Sequence, residues 1–108
     1  MHPTLTIDTT AQKGRTVLTI TGSLDMDSCP HITAATDILV LEGHALALDL
    51  SGVTFMDSSG LNMLLNLRNR TQAENCALEL SGLPDQPLRV LDITGARDLF
   101  ILRPALTP

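Results

Sequence analysis

Tryptophan and tyrosine are absent from this 108-residue chain, and Phe55 and Phe100 are its only aromatic residues. That excludes an aromatic platform for stacking nucleobases. Cations are also scarce: 7 lysines and arginines face 12 aspartates and glutamates, for a net charge of -5. Nucleic-acid binding draws most of its affinity from clustered Lys and Arg, so no nucleic-acid partner is expected. No apolar run approaches the roughly 20 residues that cross a bilayer, and no membrane span is expected. Met1-His2-Pro3-Thr4 lacks a basic region followed by an apolar run, so a signal peptide is not expected either and the location implied is cytoplasmic. Cysteine occurs twice, at Cys29 and Cys76. One pair in a chain without an export signal reads as reduced core thiols. His2, His31 and His44 are scattered without ligand spacing, so neither a metal nor a cofactor is expected.

What is present is a globular profile, 44% hydrophobic and 18% charged, in a length that suits one domain over residues 1–108. Leu5 and Ile7, then Val17, Leu18 and Ile20, lie in Thr-rich segments separated by Ala11-Gln12-Lys13-Gly14 and closed by Gly22, which predicts a β-hairpin. Asp27 or Ser28 then offers a cap to a helix that Pro30 opens and Gly43 stops, with Ile32, Ala35 and Leu39 on its apolar face and Ile38 and Leu41 beside it. Ala45 to Leu50 reads as a buried strand ended by Ser51-Gly52, and a loop from Val53 to Asp57 leads into a second helix. That helix turns Leu61, Leu64 and Leu65, with Leu67, inward, and Asn62, Asn66, Arg68, Asn69 and Arg70 to water. A strand at Cys76–Leu80, a helix from Pro84 to Gly95 with Leu88, Leu91 and Val90 inward, and a strand at Leu99–Leu102 complete the pattern. The order β-β-α-β-α-β-α-β predicts an α/β fold with a mixed sheet, its helices packed on it through right-handed crossovers.

The chemistry concentrates at Phe55-Met56-Asp57-Ser58-Ser59-Gly60-Leu61, where a buried strand hands over to a helix. Asp and Ser at a helix start are ordinary caps, worth roughly 0.5–2 kcal/mol. Capping needs one residue, however, and three short polar side chains stand in a row. Gly60 in the first turn costs roughly 0.5–1 kcal/mol relative to Ala, which implies a close approach of another group. A hydroxyl at this position is open to a kinase, and the helix N-terminus tolerates the phosphate it would receive. Phosphorylation adds a charge of about -1.5 to -2. Against one acid about 4 Å away at an effective dielectric near 20, a single such charge is opposed by roughly 4 kcal/mol, about a thousandfold in affinity.

The stretch from Leu48 to Leu61, Leu-Asp-Leu-Ser-Gly-Val-Thr-Phe-Met-Asp-Ser-Ser-Gly-Leu, resembles the signature of STAS-domain anti-sigma factor antagonists, the bacterial partner-switching regulators. Gly22-Ser23-Leu24-Asp25 resembles the family's turn after its second strand, and Leu91-Asp92-Ile93-Thr94-Gly95 with Leu99-Phe100 resembles its ending. The resemblance implies a STAS fold and a non-enzymatic cycle. The unphosphorylated protein binds an anti-sigma factor serine kinase and frees the sigma factor, phosphorylation at Ser58 ends that binding, and a PP2C-type phosphatase restores it. By position it implies a partner-binding set of Asp25, Met56, Asp57, Ser58, Ser59 and Gly60. Asp25 equally suits a turn or cap, and Ser59 a simple cap. Met26 and Asp27 depart from the residues several relatives carry, which implies a partner-facing turn with its own specificity. Many relatives also continue into a C-terminal helix, so an ending at Pro108 implies a sheet face or edge left for a homodimer or partner to cover.

Other readings fit less well. A hydrolase would want a Gly-x-Ser-x-Gly elbow, which is absent, and no histidine follows Ser58 in that fold's order. A nucleotide cradle would want the phosphate-loop lysine, and no lysine lies near the motif. The remaining alternative is a STAS module that never cycles through phosphoserine, a scaffold or a subunit of a sensory or lipid-transport complex. It does not require the intact Asp57-Ser58-Ser59-Gly60.

Overall fold

The computed structural model describes residues 5–105 apart from 13 and 42. Strands β1 (Thr6–Gln12) and β2 (Arg15–Leu24) form the expected hairpin, Gln12 pairing with Arg15 across a turn in which Gly14 takes φ 77°. Lys13 of that turn lies outside the described residues. Gly22 does not close β2; it lies inside the strand, at a register shift against the next one. Helix α1 (Cys29–Asp37) follows, then β3 (Ala45–Met56), α2 (Ser58–Ala73), β4 (Leu78–Ser81), α3 (Asp85–Thr94), a 3₁₀ turn at Arg97–Leu99, and β5 (Ile101–Arg103). The strands lie in the order β1-β2-β3-β4-β5, the first pair antiparallel and the rest parallel. The α/β class, the mixed sheet and the element order are those the periodicities predict.

Four boundaries differ, the first two for tertiary reasons. α1 ends at Asp37, well short of Gly43, and Ile38 is 81% exposed instead of sharing the apolar face. Arg70 of α2 donates from its guanidinium to the carbonyls of Thr36 and Leu39, the latter at 2.8 Å, so one carbonyl in the last turn of α1 and one just beyond it are met from outside the helix. Arg70 is thereby a tie between helices, and Arg68 is another, its Nε donating to the Leu99 carbonyl at 2.6 Å; neither simply faces water. β3 runs on through Ser51-Gly52 to Met56, where a loop was expected. Its partner β2 accommodates the extra length by register shifts, and a Cβ at Gly52 would sit 2.9 Å from Thr21 Oγ1. β4 begins at Leu78, not Cys76, and Leu99 belongs to the 3₁₀ turn ahead of β5.

One face of the sheet carries the core. Leu18, Ile20, Leu46, Leu48, Leu50, Leu78 and Leu80 alternate onto it and meet Ile32 of α1, Leu61, Met63, Leu64 and Leu67 of α2, and Leu91 of α3. Leu65, Leu88 and Val90 are only partly covered. The register places Val17, Ala47, Glu79 and Ile101 in a row on the opposite face. There Glu79 lies 3.4 Å from the Arg15 guanidinium and 3.5 Å from that of Arg103.

Candidate functional site

α2 begins where β3 ends, and the cap is a single residue. Asp57 is extended (φ -109°, ψ -169°), and its Oδ1 accepts from the amides of Ser59 at 2.8 Å and Gly60 at 3.3 Å. The Leu61 amide donates to the Asp57 carbonyl at 3.2 Å, closing the first helical turn. Neither serine hydroxyl is therefore needed as a cap. Ser58, the first residue of α2, is exposed, and Ser59 is half-buried. The amides expected to greet a phosphate are partly engaged already, two of them by the Asp57 carboxylate.

Gly60 accounts for the close approach that its presence implies. A Cβ there would lie 2.6 Å from Met56 Cγ, 2.8 Å from the Leu24 carbonyl oxygen and 2.9 Å from Leu24 Cβ. The bare backbone lets α2 press its first turn against the end of β2, and the Asp57 amide donates to the Leu24 carbonyl at 3.2 Å. This contact brings the end of β2 and the turn that starts at Asp25 beside the serines, although the two motifs are far apart in sequence.

Asp25, next after Leu24, organises that turn. Its Oδ1 accepts from the amides of Asp27 and Ser28, both at 3.0 Å, and its carbonyl accepts from the Cys29 amide at 3.0 Å. Ser28 precedes α1 without capping it; its hydroxyl donates to the Ser23 carbonyl at 2.5 Å and accepts from the Asp25 amide at 2.9 Å. Neither Asp27 nor Ser28 gives α1 the side-chain cap expected of it; the Asp25 carboxylate binds the amides of the turn ahead of the helix, and the Ser28 carbonyl accepts from His31 and Ile32. The Ser28 amide, with smaller help from Ser23 and Asp27, outweighs burial and holds the Asp25 carboxyl below the usual aspartate range.

Of the expected partner-binding residues, Asp25, Asp57, Ser58 and Ser59 present surface at one end of the sheet. Met56 and Gly60 do not: both are buried, Met56 fully, because the core and the Leu24 contact claim them. Exposed apolar area comes instead from Met26, 74% exposed beside Asp25, and from Phe55, half-exposed three residues before Ser58.

One residue escaped the sequence reading. Gln86, in the first turn of α3, accepts from the Met56 amide through Oε1 at 2.8 Å and donates from Nε2 to the Met56 carbonyl at 2.9 Å. Its only signal in the sequence is a polar residue held between Pro84 and Pro87. Among the described residues no group of three His, Cys, Asp or Glu side chains is placed to hold a metal ion. No described helix is long and apolar enough to cross a membrane.

An exposed serine thus opens a helix that its neighbour caps, beside an acidic turn on the mixed sheet of an α/β domain. The comparisons make the class specific. The family model described as "Mlab, STAS domain" matches residues 7–104. The anti-sigma-B factor antagonist of Listeria monocytogenes is 31% identical over 85 residues, covering 78% of this chain and 75% of that protein. Its counterpart in Bacillus subtilis is 26% identical over 96 residues, covering 89% and 88%. Among solved structures, an anti-sigma factor antagonist from Mycobacterium paratuberculosis matches with a TM-score of 0.84 at 27% identity, covering 95% of this chain and 88% of that one. The chain belongs to the STAS-domain family of anti-sigma factor antagonists.

Proposed function

We propose that this chain is a cytoplasmic, non-enzymatic switch that binds an anti-sigma factor serine kinase when unphosphorylated and releases it once Ser58 carries phosphate. Binding frees the sigma factor, and a PP2C-type phosphatase resets the serine. The observation that carries this reading is the division of labour at the start of α2. Asp57 caps the helix, which leaves the exposed Ser58 hydroxyl free for modification without loss of the cap. The names of the relatives supply the kind of partner, an anti-sigma factor.

The switch is electrostatic. Asp25, Asp57, Ser58 and Ser59 form the partner-facing set, while buried Met56 and Gly60 hold it in place. A phosphoryl group on Ser58 adds a charge of about -1.5 to -2 next to the Asp57 carboxylate, which already occupies two amides of the helix start. The added charge therefore stays outward, in the surface that the partner must cover. One acidic partner group about 4 Å away suffices for roughly 4 kcal/mol of repulsion against each unit of charge.

The test is a pair of variants with the cognate kinase. Ser58→Ala should bind it and take up no phosphate from ATP, and Ser58→Asp should bind at least about a hundredfold more weakly. Protein purified from its own host should carry an added mass of about 80 Da at Ser58 in the inactive state. Equal binding by both variants, with no phosphate on Ser58, would sink the cycle and leave a scaffold that never cycles.

A further inference from the structure

We infer that Gln86 is the positioning residue for Ser58, acting as a one-residue substitute for a missing strand. The inference rests on the reading of Ser58 as the phosphoacceptor. β3 pairs with β4 only from Leu46 to Asp49, yet it continues to Met56 with β2 as its partner strand. At Met56, on the side away from β2, both backbone polar groups are met by one side chain: Gln86 Oε1 accepts the N–H and Gln86 Nε2 donates to the C=O. A carboxamide carries the donor and acceptor of a peptide group, so it completes the ladder at that residue.

Met56 is thereby fixed from three directions. Its side chain is fully buried beneath Gly60, its backbone pairs in register with Leu24, and Gln86 clamps both polar groups. The next residue is the Asp57 cap, and the one after is Ser58. Gln86 itself is held firmly, with Pro84 ahead of α3, buried Pro87 beside it and Leu91 anchoring the helix one turn on. Without the clamp, two polar groups of a buried residue lose their partners, and the peptide must turn to find others. The Asp57 carboxylate and the Ser58 hydroxyl would turn with it, and transfer to a hydroxyl depends steeply on how it is held.

Substitution at Gln86 separates this role from plain packing. Gln86→Ala removes both bonds. Gln86→Glu keeps the shape but, when ionised, offers only acceptors and opposes the Met56 carbonyl; protonated, it again has one donor and one acceptor. Amide hydrogen exchange at neutral pH should therefore show the protection of Met56, Ser59 and Gly60 reduced at least about tenfold in both variants. The amides of Leu78 to Ser81 should keep their protection. On acidification, Gln86→Glu alone should recover its protection factors as its carboxyl protonates. Undiminished protection in Gln86→Ala, or a loss in Gln86→Glu that no pH restores, would overturn the clamp.

The link to function is read by labelling Ser58 with ATP in an extract of the source organism. Gln86→Ala should take up phosphate about tenfold more slowly than the wild type, and Ser58→Ala should take up none at that position. Equal rates for wild type and Gln86→Ala would overturn positioning even if the exchange result held. An unlabelled wild type would instead overturn the reading of Ser58, and exchange would then decide the clamp by itself.

Discussion

Two aspartates at the site perform the same chemistry on different targets. Asp57 gathers the amides of Ser59 and Gly60 at the start of α2, and Asp25 gathers those of Asp27 and Ser28 in the turn before α1. Donation from an amide favours the ionised carboxylate, and the Ser28 amide is the largest cause of the lowered Asp25 pKa. The sign of the pH dependence follows. A folded-state pKa below the unfolded value of about 3.9 stabilises the fold above that value, and the contribution disappears as pH falls through the folded pKa. Asp25→Asn keeps an oxygen acceptor but no charge, so it should lower the urea midpoint slightly at neutral pH and flatten the loss below about pH 4. Acid limbs that run parallel in wild type and variant would refute that role for Asp25. The sequence shows Asp25, Asp27 and Ser28 as three eligible caps, and spacing alone cannot choose among them. The choice falls to the path of the chain as it leaves β2, which presents Asp25 to the amides and turns the Ser28 hydroxyl back to the Ser23 carbonyl.

At the scale of elements, the site is a meeting of β2, β3, α2 and α3, and Gly60 is where a helix touches a strand end. Helix propensity alone favours Gly60→Ala by about 1 kcal/mol. The structure reverses the sign, because the new methyl would lie 2.6 Å from Met56 Cγ and 2.8 Å from a backbone oxygen of Leu24. Met56 can give way, but the Leu24 carbonyl is backbone at the end of β2, paired with β3 and held by the Asp57 amide, and cannot. Gly60→Ala should therefore destabilise by about 1–3 kcal/mol, read as a lower urea midpoint. A neutral or stabilising result would mean that α2 can slide away from β2. The close approach at Gly60 was legible in the sequence as a glycine in a first helical turn. The full length of β3 was not. Ser51-Gly52 is ordinary turn chemistry, and only the opposing Thr21 and the register shifts of β2 show it to be an irregularity inside a strand.

At the scale of the whole molecule, the order of elements was legible because each strand-helix-strand unit has its own hydrophobic period and one favoured handedness. What stayed hidden are the long-range ties, Gln86 to Met56 and Arg70 to the end of α1, since a polar side chain in a helix carries no mark of a distant partner. The shared core gives a test of how far these parts act together. Cys29 at the start of α1 and Cys76 ahead of β4 are free, buried and members of one apolar cluster. Burial is the main cause that raises the Cys29 pKa, and the nearby charges of Asp57 and Asp25 raise it further. Since the thiolate is the reactive form, a disulfide reagent should find the native Cys29 nearly inert at neutral pH. If the sheet and its helices open as one unit, both cysteines should react at a single rate that climbs with urea along the unfolding transition. Site-resolved labelling followed by mass spectrometry reads the two rates separately. Rapid labelling of Cys76 with Cys29 still protected would show that the α2 to β4 connection opens alone. Coincident rates would mean that the surface around Ser58, tied through Gly60 and Gln86 to the same core, is as stable as the core itself.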